Sequence, residues 1–143
     1  MTTVTQVESL PYRHVLTVPA MGSAVRMVRE TAELVLIECG VRLGHPAVGP
    51  ALLALSELVT NAVRHAAETS PMITVIFAHG PGTLAFAVHD QHPYQPAPYQ
   101  ALATAPGSGL ALVAGTVTEL RGTVSVRADR DGLGKAVWIV LPL

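Results

Sequence analysis

Cysteine, lysine and aromatic side chains are nearly missing from this chain. Its 143 residues hold one cysteine, Cys39, and one lysine, Lys135, and only 4% are Phe, Trp or Tyr. One cysteine excludes an intrachain disulfide and any cysteine-pair zinc site. Charge is also scarce: 13% of residues are Asp, Glu, Lys or Arg, and the net charge is −1. The other basic residues are arginines that do not cluster, so the positive stripe needed for direct DNA or RNA binding is lacking. No apolar run reaches the ~18 residues of a membrane span. No charged n-region followed by an apolar h-region opens the chain. The expectation is a soluble, cytoplasmic protein.

Half of the residues are apolar, which is a globular composition. The length suits a single domain over residues 1–143, large enough to bury roughly 68–70% of its unfolded surface. Cys39 lies in an apolar helical pattern and reads as a structural thiol.

Residues 1–11 are polar and pattern-free and are expected to be disordered. Arg13–Val18 alternates weakly as a first strand, ended by Pro19. Ser23 is the expected N-cap of a helix over 23–39, with Val25, Val28, Ala32, Val35 and Cys39 at helical spacing and Gly40 after its end. Arg26–Glu30 and Arg29–Glu33 form i,i+4 pairs on its outer face. A second helix is expected over Pro50–Ala66, capped by Gly49 with Pro50 at its first position. Met72–His79 and Thr83–His89 alternate as two strands around the Gly80-Pro81-Gly82 turn. Residues 90–107 hold four prolines and little regular pattern, which marks a functional or mobile loop. Gly109–Leu120 is helical. Thr123–Asp129 and Lys135–Leu141 form another hairpin around Asp131-Gly132. This order gives an α+β protein whose helices must cover one face of the sheet to bury both apolar surfaces.

The second helix carries the chemistry. Leu52, Leu55, Val59, Ala62, Val63 and Ala66 form its apolar stripe at ~100° per residue. Glu57, Asn61 and His65 fall on the opposite side, spaced i, i+4, i+8. A carboxylate one turn from a carboxamide can act as a base and help hold a hard cation through oxygen. By spacing alone, an ordinary solvated face is the better reading of such a row.

Glu57-x-x-x-Asn61-Ala62-x-x-His65 resembles the N-box of the GHKL ATPases, the superfamily of histidine kinases, gyrase-type ATPases and anti-sigma serine kinases. Within Ser56–His65 the likeness is greatest to short, stand-alone members of the anti-sigma-factor serine/threonine kinase branch. The resemblance implies the Bergerat ATP-binding fold: a two-layer sandwich with a mixed, mainly antiparallel sheet covered on one face by three helices. The element order agrees over nearly the whole chain.

The resemblance also implies site residues. Glu57 would orient or deprotonate the attacking hydroxyl, and Asn61 would hold Mg²⁺. His65 would be a secondary contact. Asp90 stands where the family's G1-box Asp accepts a hydrogen bond from the adenine amino group, although a strand-end Asp also suits a turn. His92 and Tyr94 occupy the places of the two glycines expected after it. Gly107-Ser108-Gly109-Leu110 resembles the G2 box, whose glycines let backbone approach phosphate at a helix start. Gly134-Lys135-Ala136-Val137-Trp138 resembles the last strand of the short members, with Lys135 either a phosphate contact or a surface charge. Residues 91–106 would be the ATP lid.

The implied cofactors are ATP and Mg²⁺. The implied partner is a sigma factor or an anti-sigma-factor antagonist, with no nucleic acid and no membrane, and a homodimer is compatible. The alternative is a catalytically weak module that regulates by binding alone, which the altered G1 box favours. A histidine-kinase catalytic half would need its phosphoacceptor hairpin on a partner chain. Other motifs fail: Leu112 breaks a Rossmann pattern, Pro106 and Leu110 break a nucleophile elbow, and Asp129 and Ala136 break a Walker A loop. His89, Asp90 and His92 read as scattered loop residues rather than metal ligands.

Overall fold

Alternating apolar residues build five strands: β1 (Tyr12–Pro19), β2 (Met72–Gly80), β3 (Thr83–Asp90), β4 (Thr123–Ala128) and β5 (Lys135–Pro142). The helices are α1 (Ala24–Glu38), α2 (Val48–Ala66) and α3 (Gly109–Glu119). The computed structural model describes residues 10–66, 71–91, 109–130 and 134–143, without the side chains of His65, Ala66, Gly109 and Leu110. The expected order and fold class hold, and each boundary outside α2 agrees to within a residue. The expected disorder of residues 1–9, the stretch 92–106 of the expected lid and the Asp131-Gly132 turn lie outside the described residues.

The sheet order is β1-β2-β3-β5-β4. Every described pairing is antiparallel, where the expected sheet was mixed but mainly antiparallel. The connections supply the reason. Two helices lie between β1 and β2, so the chain returns antiparallel. One helix lies between β3 and β4, which therefore run in the same direction. β5 inserts between them, so they never pair.

Ile73, Val75, Phe77, Leu84, Phe86, Val88, Ile139 and Leu141 line one face of the sheet. They pack with Val28 and Val35 of α1, Leu55 and Val59 of α2, and Val113 and Val117 of α3. Full burial of such a side chain contributes about 1.5–3 kcal/mol. The opposite face holds a smaller cluster around Trp138, with Ala78, Ala85, Ala87, Ala136 and Val140. No helix among the described residues is long and apolar enough to cross a membrane.

Helix ends depart from expectation in two places, at the starts of α1 and α2. Ser23 precedes α1, but its backbone is helical and its side chain makes no capping hydrogen bond. An N-cap needs extended backbone to aim its oxygen back at the first free N–H groups. α2 begins at Val48, two residues before Pro50. The Ala47 carbonyl accepts the Ala51 N–H at 3.0 Å, while His45 Nδ1 accepts the Ala47 N–H at 3.1 Å. Pro50 still lies in the first turn, where its missing N–H costs nothing. α3 closes with Arg121 N–H bonded to Thr118 O and Gly122 N–H to Val117 O. The left-handed residue there is Arg121, at φ 61°, and not the glycine that follows. α1 ends in the same Schellman pattern with Gly40 in that position.

The polar row of α2 is also placed differently. Ala54 and Leu58 are buried, whereas Leu53 and Arg64 are exposed. The buried arc is thus wider than the six-residue stripe, because α2 is the middle helix and packs against both α1 and α3. Glu57 and Asn61 lie on the border of that arc, half-buried, rather than on its solvent pole.

Candidate nucleotide site

Strand register fixes which end of the sandwich each residue occupies. Asp90 pairs with Lys135 across β3 and β5, while Thr83 pairs with Pro142 at the far end. His89 pairs with Thr74, so the start of β2 lies at the Asp90 end. α2 enters from the far end, where Val48 and Ala51 line a small gap with Leu84 and Leu141. Its later turns, with Asn61 and His65, therefore run toward Asp90, and the chain re-enters the sheet at Met72. α3 finishes at Glu119, three residues before Gly122, which abuts Val140 and Leu141 at the far end. A helix rises ~1.5 Å per residue, so the start of α3 at Gly109 lies back at the Asp90 end. The fold thus gathers Asn61, Gly109, Asp90 and Lys135 at one end of the molecule. Glu57 stands one turn behind Asn61.

Asp90 shares the helix-covered face with Leu84, Phe86 and Val88 and is 5% exposed. Lys135 Nζ donates to both of its carboxylate oxygens, at 3.0 and 3.2 Å. This was not foreseen: the sequence suggested a phosphate contact or a surface charge for Lys135, and the structure pairs its ammonium with the expected base-reading carboxylate. The only signals were the Gly-Lys dipeptide and the solitary lysine. Gly134 makes the pairing possible, because a Cβ there would stand 2.6 Å from the Asp90 carbonyl oxygen and 2.6 Å from Asp129 Oδ2. On the other side of β3, His89 Nε2 lies 2.8 Å from Asp129 Oδ2. The two neighbours at the end of β3 are thereby tied to both flanks of the β4–β5 hairpin.

Glu57 and Asn61 are half-buried on one side of α2, with Asn61 one turn nearer the Asp90 end. Gly107 and Ser108 lie outside the described residues. Gly109 and Leu110 open α3, whose first N–H groups have no helical partner. No group of three His, Cys, Asp or Glu side chains that could hold a metal occurs among the described residues. A cation here would lean on one or two protein oxygens, phosphate oxygens and water. This arrangement suits Mg²⁺, and the Asn61 and Glu57 oxygens fit a hard cation.

A family model, the histidine kinase-like ATPase domain, matches residues 18–141. The chain belongs to that family. Several solved structures share its fold. The RsbU and RsbW domains of Rv1364c from Mycobacterium tuberculosis match with a TM-score of 0.67 and 23% identity, over 92% of this chain and 32% of that one. The blue-light activated histidine kinase EL346 of Erythrobacter litoralis matches with a TM-score of 0.55 and 25% identity, over 68% of this chain and 30% of that one. Full-length ShkA in complex with AMPPNP matches with a TM-score of 0.55 and 20% identity, over 96% and 33% respectively. The chain therefore spans about a third of each of these proteins. No curated protein matches it.

Proposed function

We propose that this histidine kinase-like ATPase domain binds ATP with Mg²⁺ at the Asp90 end and phosphorylates a serine or threonine of a protein partner. In this reading it is an anti-sigma-factor-type kinase, cytoplasmic, and its partner is a sigma factor or an anti-sigma-factor antagonist. The observation that carries the reading is the convergence of buried Asp90, the Asn61 turn of α2 and the start of α3. Support comes from the family match, from the RsbW domain named in the Rv1364c structure, and from the AMPPNP held by ShkA.

Each residue then has a defined task. Asp90 accepts an N–H from the adenine amino group. Backbone N–H groups of Gly107, Ser108, Gly109 and Leu110, at the start of α3, receive phosphate oxygens. Glu57 takes the proton of the partner's hydroxyl as that oxygen bonds to the γ-phosphorus. The bond to the bridging oxygen breaks and ADP leaves. Asn61 would hold the cation through its carboxamide oxygen, and the cation would supply charge neutralisation to the phosphates. His65 would be a secondary contact.

A second reading, a module that binds its partner without turnover, is favoured by one feature: Lys135 already uses both oxygens of Asp90. Isothermal titration with Mg-ATP separates the two readings. Heat with ATP, followed by labelled phosphate transfer to a candidate antagonist, is the expected result. No heat with ATP, ADP or a non-hydrolysable analogue would overturn the kinase reading in favour of the binding module.

A further inference from the structure

β3 ends at Asp90, and the end of an element is where local order is most readily lost. The carboxylate assigned to adenine thus stands at the weakest point of its strand. Its chain neighbour supplies a tie. Successive residues of a strand point to opposite faces. Asp90 shares the face that the helices cover, so His89 lies on the other. There His89 Nε2 donates to Asp129 Oδ2 at 2.8 Å, since an ionised carboxylate only accepts. β5 separates β3 from β4, so the ring reaches past a whole strand. Its partner on β5 is Ala136, whose methyl is a small obstacle.

Asp129 is the junction of these contacts. Its N–H bonds to the Gly134 carbonyl at 2.9 Å and closes the β4–β5 hairpin. A Cβ on Gly134 would stand 2.6 Å from Asp129 Oδ2 and 2.6 Å from the Asp90 carbonyl oxygen. The contacts therefore run from His89 through Asp129 and Gly134 back to Asp90, the next residue in the chain. This closed circuit holds the end of β3 against the hairpin. As a stabilising contact the His89–Asp129 pair counts for little, because its side chains are 26% and 33% exposed and water weakens such a pair. Its place in the circuit is what matters.

We infer that His89 is a positioning residue for base recognition, which acts through Asp129 and Gly134 to hold the Asp90 carboxylate at the adenine amino group. This rests on the ATP-binding reading above. Without the bond, the β4–β5 turn is free to lift from the end of β3. Asp90 then keeps its charge but not its fixed place. A hydrogen bond weakens steeply once distance and angle drift, so the contact to the amino group suffers first. Contacts to the phosphates, made by other elements, do not depend on the circuit.

The test is a titration of the full chain with Mg-ATP and with the Mg complex of purine riboside triphosphate, which lacks only the amino group. Wild type, His89→Leu, His89→Gln and Asp129→Ala are compared, with a thermal melt of each. Wild type should prefer ATP by roughly ten-fold, the weight of one hydrogen bond to a charged group. His89→Leu and Asp129→Ala should lose ATP affinity until the ratio approaches one, while the analogue binds as before. His89→Gln sets an amide N–H near the position of Nε2 and should restore the ratio. If both ligands weaken together and the ratio holds, the contact is merely structural and the inference is overturned. A folded His89→Leu with wild-type affinities overturns it as well. Equal wild-type affinities for the two ligands would remove the base contact and the inference with it, while ATP binding stands. Should His89→Leu not fold, Asp129→Ala, which leaves β3 unaltered, decides. If wild type binds neither nucleotide, the ATP-binding reading itself fails.

Discussion

Gly134 and Asp90 approach each other more closely than any side chain permits, with an added Cβ only 2.6 Å from the Asp90 carbonyl oxygen. Backbone cannot swing aside as a flexible side chain can. Gly134→Ala is expected to destabilise the fold by about 1–3 kcal/mol, as overpacking does, and to weaken nucleotide binding by moving Asp90. Gly115 supplies the control. It lies within α3 with nothing within 4 Å of an added Cβ, so Gly115→Ala should stabilise by about 0.5–1 kcal/mol. Urea midpoints of the two variants check both signs.

The second prediction concerns the α2 row. Glu57→Gln should retain Mg-ATP binding and lose phosphate transfer, by ~10²–10⁴-fold if Glu57 is the base. Asn61→Ala should bind ATP with a reduced dependence on magnesium. Titrations with and without Mg²⁺, beside a transfer assay, separate the roles. Transfer at the wild-type rate in Glu57→Gln would remove Glu57 as the base, and an unchanged magnesium dependence in Asn61→Ala would remove the metal role.

At the end of α3, Arg121 holds the left-handed conformation that glycine adopts without strain. Arg121→Gly should gain roughly 0.5–1 kcal/mol in thermal or urea melts, within the range set by glycine's extra unfolded-state entropy. Gly122→Ala should lose stability. Its Cβ would meet the Val140 carbonyl at 2.5 Å and Leu141 Cδ2 at 2.6 Å, and the carbonyl belongs to the sheet. If the two variants shifted the melt in the same direction, this account of the helix end would be wrong.

Tyr12 ties β1 to α1 by donating its hydroxyl to Glu38 Oε2 at 2.8 Å. Burial, then the hydrogen bond to Glu38 and its charge, push the phenol up to about 12. Above pH ~10 the unfolded chain gives up this proton while the folded chain keeps it. Folding stability from this group is therefore complete below pH ~10 and declines as pH rises toward 12. Tyr12→Phe should show a shallower decline over that window in urea melts. Equal slopes for the two proteins would contradict the assignment.

Most of the framework was legible because its signals are local. The 3.6 and 2.0 periodicities named the three helices and five strands in order, and the proline- and glycine-rich stretches separated them. Asp90 was legible as a strand-end carboxylate, and Glu57 with Asn61 as neighbours one turn apart. The breadth of α2's buried arc was not, because it depends on α1 and α3 flanking that helix, and neither neighbour can be read from α2 itself. Ser23 has a suitable cap side chain, but the helical backbone there leaves it unused. The left-handed residue at the end of α3 fell on Arg121 because Gly122 was needed one position later, where only a hydrogen fits beside the Val140 carbonyl.

The order of residues along the chain determined which segments are helix or strand, and which side chains carry a charge or a hydrogen-bonding group. Only the tertiary structure decided that Lys135 meets Asp90, 45 positions earlier, and that one glycine permits it. Periodicity acts over a turn or a strand, whereas the register between β3 and β5 is set by the whole apolar face that both must bury.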